Sequence, residues 1–252
     1  LCVSLPAFFE IRMSPQLHTW VYGFFPHSFG QQMRFDGFRP VVFTQHGLWL
    51  AMFVATAVGA AAVGVKTQTK VAGISPLLVL LYVLVLLVLC KSVGPAVMGL
   101  AMAAVVLFLA PKQGAKVVTV LAVITATYPA LKLLGWFPTW QMVDWVAGYS
   151  PERAQSLGFR FQHEGALLER AMQKPLLGWG GWGRNRLSDS VTDGYWIITF
   201  GTAGLLGFTA VYGLFLVMAS RIRRQLTFIE NFQDQVALVG AWLVAVMIGV
   251  NT

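Results

Sequence analysis

Charged side chains gather in one long segment, residues 137–194, which lies between apolar runs. Within it, apolar residues recur at helical spacing and predict a helix over 156–174. Arg160, His163 and Glu164 fall on one face of that helix by i, i+3 and i+4 spacing. An arginine there suits a phosphate, and a histidine or carboxylate can accept a proton. The same spacing also fits an ordinary Arg160–Glu164 surface ion pair.

A glycine-rich stretch, Pro175-Leu-Leu-Gly-Trp-Gly-Gly-Trp-Gly-Arg-Asn-Arg186, follows that helix. Glycines allow main chain to approach a ligand closely, the faces of Trp179 and Trp182 suit sugar rings, and Arg184 suits phosphate. No Gly-Lys-Ser/Thr follows, so the stretch is not a P-loop. A tight turn with tryptophans at a membrane surface is an equally good interpretation.

Asp193 opens the apolar run that comes next, directly after Thr192. One interpretation is a helix N-cap that accepts a backbone N–H. The other is a carboxylate at the mouth of a helical bundle, placed to accept a proton.

Two further groups of candidate binding residues precede this segment. Arg39 and His46 stand seven residues apart, which places them on one helix face if Pro40 begins the helix. His46 would then lie inside an apolar run, where an ionisable group usually faces a cavity or a partner, although a hydrogen-bonded packing histidine also fits. Lys91 begins the turn Lys91–Pro95, either as an anion ligand at a helix start or as an interfacial lysine.

Composition predicts that membrane-spanning helices carry these residues. Hydrophobic residues form 57% of the chain and charged residues 11%, against about 25% charged in soluble domains. A spanning helix needs about 20 apolar residues. Six runs qualify, the last cut by the chain end, and they predict an all-α polytopic bundle. We expect four parts in chain order: an extracytoplasmic segment 1–40, four transmembrane helices in 41–136, the long loop 137–194, and two transmembrane helices in 195–252.

Charge predicts the orientation of these helices. Basic clusters at 66–70, 112–116 and 221–224 mark the cytoplasmic side, since lysine and arginine are retained there. The segment 137–194 has six basic and six acidic residues and lies outside. Topology therefore accounts for the net charge of +8 and argues against a nucleic-acid partner.

Several catalytic motifs are absent from the sequence. It has no His-Glu-x-x-His, no Asp-x-Asp and no Gly-x-Ser-x-Gly pattern. Its two cysteines, Cys2 and Cys90, suggest neither a disulfide framework nor a metal site. We therefore expect no metal and no cofactor, with arginine and lysine supplying the positive charge for any phosphate.

Together these motifs resemble the O-antigen ligase/polymerase superfamily. The resemblance rests on Arg160, the Leu-Leu-x-Arg-Ala that follows, Pro175-Leu-Leu-Gly-Trp-Gly180, and a polar residue that opens the next transmembrane helix. The basic turn at Lys91 and the segment Arg39–His46 are similar to its upstream elements. The similarity extends from about Arg34 to Thr252.

The resemblance implies a GT-C-like fold and a metal-independent, inverting glycosyltransferase of a bacterial inner membrane, with its active face extracytoplasmic. The donor would be a glycan on undecaprenyl diphosphate, and a glycan or lipid hydroxyl would be the acceptor, with membrane lipids around the bundle. Arg160, with Lys91 or Arg39, would stabilise the departing diphosphate. Family ligases have a histidine where this chain has Asp193, so Asp193, Glu164 and His163 are all candidates for the base.

Two other functions fit the composition. A transporter or flippase of lipid-linked or other solutes predicts mid-membrane charges and broken helices in paired halves. A non-catalytic partner of an envelope polysaccharide complex predicts that Arg160 and Asp193 tolerate substitution.

Overall fold

A computed structural model describes residues 3–26, 28–34, 36–188, 190 and 194–251. The chain is 73% helical and forms two compact units. The first unit comprises residues 1–117 and 223–247, and the second comprises residues 118–222 and 248–252. The protein is therefore an all-α protein, as its apolar runs predict.

The first unit contains an irregular amino-terminal segment and a bundle of apolar helices. Its elements are α1 (Ser4–Met13), α2 (Leu17–Tyr22), β1 (Met33–Arg34), β2 (Gly37–Phe38), α3 (Gly47–Thr67), α4 (Pro76–Leu89), α5 (Val93–Phe108) and most of α11 (Phe232–Asn251). The two strands pair antiparallel as a short hairpin. Helix α3 is central, and α4 and α5 both pack on it. A Cβ added to Gly99 of α5 would stand 3.3 Å from Ala55 of α3, so a glycine lets these two helices approach closely.

The second unit joins two long apolar helices to the helices between them. Its elements are most of α6 (Pro111–Leu133), α7 (Thr139–Ala147), α8 (Pro151–Ala171), α9 (Trp182–Asn185) and α10 (Tyr195–Gln225). Leu167 and Ala171 of α8 are buried against Trp196, Ile197 and Phe200 of α10. This apolar contact fixes α8 on the membrane helices and so positions Arg160, His163 and Glu164.

Four helices in the described part of the chain are long and apolar enough to cross a membrane: α3, α6, α10 and α11. Helices α4 and α5 occupy two more of the six predicted runs, but they have only 14 and 16 residues. A span of 30 Å needs about 20 residues of helix. The membrane assignment therefore stands on four helices, and the predicted spans at α4 and α5 stay predictions.

The segment Arg39–His46 is not helical, and the sequence prediction for it was wrong. Helix α3 begins only at Gly47, and His46 is its N-cap in extended conformation. Val42 adopts φ 54°, a left-handed backbone that a helix cannot contain. Arg39 and His46 thus do not share a helix face, Pro40 is not a first-turn residue, and His46 is not inside a span.

The helix predicted over 156–174 exists, but its boundaries differ. It is α8, Pro151–Ala171, which starts five residues earlier because Pro151 takes the first helical position, where no N–H is needed. It also ends before Pro175, after Ala171.

Helix α10 is interrupted. Gly204 has φ 64° and ψ −163°, outside helical geometry, so the hydrogen-bond ladder breaks at that residue. Chain continuity alone suggested one unbroken span here, and this interruption creates the most distinctive feature of the second unit.

Candidate functional site

The glycine-rich stretch inserts into the break in α10. A broken helix leaves carbonyls before the break and N–H groups after it without partners. Main chain of the glycine-rich stretch provides these partners through four hydrogen bonds. Before the break, the carbonyls of Gly201 and Thr202 accept from Trp179 N (2.9 Å) and Gly180 N (2.8 Å). After the break, Leu205 N and Leu206 N donate to the carbonyls of Pro175 (2.7 Å) and Leu176 (3.3 Å). Main chain of the loop after α8 thus fills the gap in an apolar helix.

Two glycines make this insertion possible. Gly178 has φ 68° and Gly204 has φ 64°, conformations that favour glycine. A Cβ on Gly178 would stand 2.5 Å from the carbonyl carbon of Thr202, and a Cβ on Gly204 would overlap the carbonyl of Leu176. The sequence predicted close approach of this main chain to a ligand, whereas the structure shows close approach to the protein's own helix α10.

Trp179 is held by neighbours within its own unit. Its indole N–H donates to the carbonyl of Arg170 at 3.0 Å. The guanidinium of Arg170 lies 4.1 Å from its ring centre, and the ammonium of Lys174 lies 4.3 Å away. These cation–π contacts assign Trp179 a structural role beside any role in sugar stacking. Trp182 begins α9, and its side chain lies outside the described part.

Arg170 also connects α8 to α9. Its Nη2 donates to the carbonyl of Arg184 at 3.0 Å, while the side chain of Arg184 is exposed. The next residue, Asn185, is fully buried, and neither atom of its amide has a hydrogen-bond partner in the described structure. That amide lies against Gly201 of α10. Asn185 was not identified from the sequence, because nothing local marks a loop asparagine as buried.

Glu164 pairs with α6. The hydroxyl of Tyr128 donates to its two carboxylate oxygens at 2.8 and 2.9 Å, and Lys132 Nζ lies 3.5 Å from Oε2. The two charged side chains are only 10% and 14% exposed. Lys132 also lies 4.1 Å from the ring centre of Phe161. A carboxylate with these partners anchors α8, which makes it a poor general base.

The remaining candidates of the second unit differ in exposure. Arg160 is exposed on α8, and His163 is half-buried with its ring 4.2 Å from that of Phe159. Asp193 lies outside the described residues, and α10 begins two positions later, at Tyr195. Its predicted roles as N-cap or base stay predictions.

In the first unit, Arg39 is the notable cation. Its side chain is 3% exposed, and its Nε is buried without a hydrogen-bond partner among the described residues. Burial, together with the nearby positive charge of Arg34, lowers the pKa of Arg39 to about 10. A Cβ on Gly47 would stand 2.8 Å from that Nε, so the guanidinium lies at the first residue of α3. A helix N-terminus carries partial positive charge, so this place favours an anion.

His46 and Lys91 both shape the surroundings of Arg39. His46 Nδ1 accepts the N–H of Leu48 at 3.0 Å and caps α3. Lys91 adopts φ 49° in the turn between α4 and α5, which is shorter than the predicted turn Lys91–Pro95 because α5 already begins at Val93. Its Nζ donates to the carbonyl of Arg34 at 3.0 Å and contacts Gly37, which ties the hairpin to that turn.

A second buried charge in the first unit was not identified from the sequence. Glu10 of α1 is fully buried and accepts backbone N–H groups of Leu17, Val41 and Val42. Val41 and Val42 are 31 and 32 residues away from Glu10 in the chain, so no local spacing points to them.

No group of three or more His, Cys, Asp or Glu side chains arranged to hold a metal ion occurs within the described ranges. Comparisons with family models, with curated proteins and with solved structures found no match for this chain.

Proposed function

We propose that this protein is an inverting, metal-independent membrane glycosyltransferase that moves a glycan from an undecaprenyl-diphosphate carrier to an acceptor hydroxyl on the extracytoplasmic face. The observation that carries the proposal is the buried guanidinium of Arg39 at the start of α3. A buried charge without a paired anion is costly, and it is expected where a ligand supplies that anion. A lipid diphosphate at the mouth of an apolar bundle is such a ligand.

Arg160 is the proposed electrostatic catalyst of the second unit. In the reaction, the acceptor oxygen forms a bond to the anomeric carbon while the bond from that carbon to the diphosphate oxygen breaks. The leaving diphosphate takes the electron pair, and the hydroxyl proton passes to a base. A cation aimed at the departing oxygen lowers the barrier because negative charge grows there. The similarity of Arg160 and the Pro175–Gly180 turn to the O-antigen ligase/polymerase superfamily supports this assignment.

The proposal leaves two of the three candidate bases. Both oxygens of Glu164 accept from Tyr128, and Lys132 neutralises its charge, so we assign it to positioning α8. His163, with a half-buried ring on the same helix, and Asp193 remain the proposed proton acceptors. Ligase and polymerase activity both fit, because they differ only in the acceptor. An extracytoplasmic site on a bacterial inner membrane belongs to the same proposal.

Transport is the second candidate, and one observation favours it. Broken helices are common at the substrate sites of transporters, and α10 is broken at Gly204. An apolar cavity of about 280 Å³ also lies between α6 and α10, lined by residues including Ala122, Val123 and Leu216. The break, however, is filled by main chain of residues 175–180, which uses groups that would otherwise hold a solute.

The test expresses the protein in a host that lacks it, with Arg39→Gln and Arg160→Ala as separate variants. Arg153→Ala is the matched control, since Arg153 is an exposed arginine of the same helix as Arg160. Gels would compare mature surface glycan with lipid-linked donor at equal protein abundance. We expect both variants to lose mature glycan by at least about 100-fold and to accumulate donor on the extracytoplasmic face. Unchanged glycan in both variants contradicts the proposal, and donor trapped on the cytoplasmic face favours transport.

A further inference from the structure

Glu10 presents a buried carboxylate to two consecutive main-chain N–H groups. Its Oε2 accepts from Val41 N at 2.7 Å and from Val42 N at 2.6 Å, while its Oε1 accepts from Leu17 N at 3.2 Å. The side chain is fully buried. Burial raises the pKa of Glu10 above its ordinary value, and these three N–H donors and the charge of His18 act against that rise.

The acceptor arrangement explains a strained residue. Val42 has φ 54°, a left-handed conformation that is an outlier for a β-branched side chain. Successive main-chain N–H groups that point to one place form a nest that binds an anion, and the N–H groups of Val41 and Val42 both point to Oε2 of Glu10. Here the protein's own carboxylate occupies the nest, so Glu10 offsets the strain at Val42.

In the chain, the nest lies between Arg39 and His46, the two candidate ligand-binding residues of this segment. On one side, Arg39 N donates to the carbonyl of Gln32 at 2.8 Å. On the other side, Thr44 donates from its N–H to the carbonyl of Val41 at 3.0 Å, and its hydroxyl lies 3.0 Å from the carbonyl of His46. The conformation at Val41–Val42 therefore sets the direction in which the chain leaves Arg39 and the place at which His46 starts α3.

We propose that Glu10 is a positioning residue that holds the Val41–Val42 nest and thereby places Arg39 and His46 at the amino-terminal end of α3. The positioning is a property of the fold, whereas the use of Arg39 and His46 rests on the proposed glycan transfer. Glu10 touches no substrate in this account. It acts through the main chain of residues 41 and 42.

The test separates the nest from general stability by removing its strain. Glu10→Gln keeps the size of the side chain but loses its charge and one acceptor oxygen. Val42→Gly permits φ near 54° without steric cost. Both single variants and the double variant would be made in the full-length protein in lipid nanodiscs, with Glu152→Gln as the control because Glu152 is an exposed glutamate of α8. Hydrogen exchange of a peptide spanning residues 40–48 is the first readout, and glycan output is the second.

We expect Glu10→Gln to accelerate exchange in that peptide by about tenfold, the value of one lost charged hydrogen bond, with the rest of α3 unchanged. Adding Val42→Gly should return exchange and glycan output toward those of Val42→Gly alone. Equal exchange in wild type and Glu10→Gln overturns the proposal. A double variant that exchanges as fast as Glu10→Gln also overturns it. The same holds if Glu10→Gln and the double variant both fail to accumulate in the membrane, because Glu10 then stabilises the protein by contacts other than those with Val41 and Val42.

The two readouts also distinguish this inference from the proposed function. If exchange responds as expected but Arg39→Gln leaves glycan output unchanged, the positioning role stands and the transferase proposal fails. If Arg39→Gln abolishes glycan transfer while Glu10→Gln changes neither readout, the transferase proposal stands and the positioning role fails.

Discussion

Gly178 and Gly204 bring two stretches of main chain into direct contact. A Cβ on either glycine would stand 2.6 Å from the backbone nitrogen of the other. One glycine belongs to the loop after α8 and the other interrupts α10, so at this contact the loop enters the gap in an apolar helix. It couples the position of the loop to that of the helix within one unit.

Replacing either glycine should therefore expel the loop. We expect Gly178→Ala and Gly204→Ala each to lower the free energy of unfolding by about 1–3 kcal/mol or more, since overlapping main chain cannot yield as a side chain does. Gly165→Ala is the control, because a Cβ at Gly165 meets nothing within 4 Å. Thermal unfolding in detergent and hydrogen exchange of residues 175–180 would measure the effect. A Gly178→Ala variant as stable as the control would show that the loop does not need this contact.

The contact between Lys132 and Glu164 predicts a different result. Glu164→Gln should lower the free energy of unfolding by about 2–3 kcal/mol, because it leaves Lys132 only 10% exposed and without a paired charge. This loss is somewhat smaller than the loss expected when one partner of a fully buried ion pair is removed. Adding Lys132→Met should recover most of that loss. A double-mutant cycle on thermal stability would measure it.

The same variants decide whether Glu164 is a base. If the double variant regains both stability and glycan transfer, Glu164 only positions α8. If stability returns but transfer stays at least about 100-fold down, Glu164 takes part in proton transfer after all.

Trp179 offers a graded test of structure against sugar binding. Trp179→Phe removes the indole N–H that donates to Arg170 and keeps a ring for the two cations. We expect a stability loss of about 1 kcal/mol for that hydrogen bond and little change in the apparent affinity for acceptor glycan. Trp179→Ala should cost more, because the ring is also lost. A Trp179→Phe variant that is as stable as wild type but binds the acceptor more weakly would instead point to direct stacking of this indole on a sugar.

The sequence was informative where physical constraints are local. Apolar runs identified six apolar helices, α3, α4, α5, α6, α10 and α11, and the periodicity of residues 156–174 identified α8, because burial in a bilayer or on a neighbouring helix imposes a repeat on the sequence itself. Pro151 marks the true start of α8, since proline fits the first helical position, but the apolar periodicity becomes clear only five residues later. For these helices type and position were predictable from local pattern, and the ends were not; at Arg39–His46 even the type was wrong.

The candidate site was much less predictable, because its contacts are non-local. The Lys132–Glu164 pair and the Glu10 nest join residues 32 positions apart in the chain, so no spacing rule connects them. The interruption at Gly204 depends on a loop about 25 residues upstream that satisfies the exposed carbonyls and N–H groups. Gly201, Gly204 and Gly207 are three residues apart, and this cluster of glycines inside an apolar run was the available signal.

The burial of Arg39 predicts that replacing this residue changes stability and function in opposite directions. Its pKa is lowered to about 10 by burial, so below that pH the folded protein carries a charge that costs free energy. Arg39→Met removes this charge and retains an apolar chain of similar length. We expect it to raise the free energy of unfolding by about 1–4 kcal/mol while glycan transfer is lost. Lys70→Met is the control, because Lys70 is an exposed cation of the same unit, and its replacement should leave stability within about 0.5 kcal/mol. Thermal unfolding and glycan gels on the same membranes would measure both effects. An Arg39→Met variant less stable than wild type would mean that the protein itself satisfies the guanidinium, and the anion site assigned to it would then have to be abandoned.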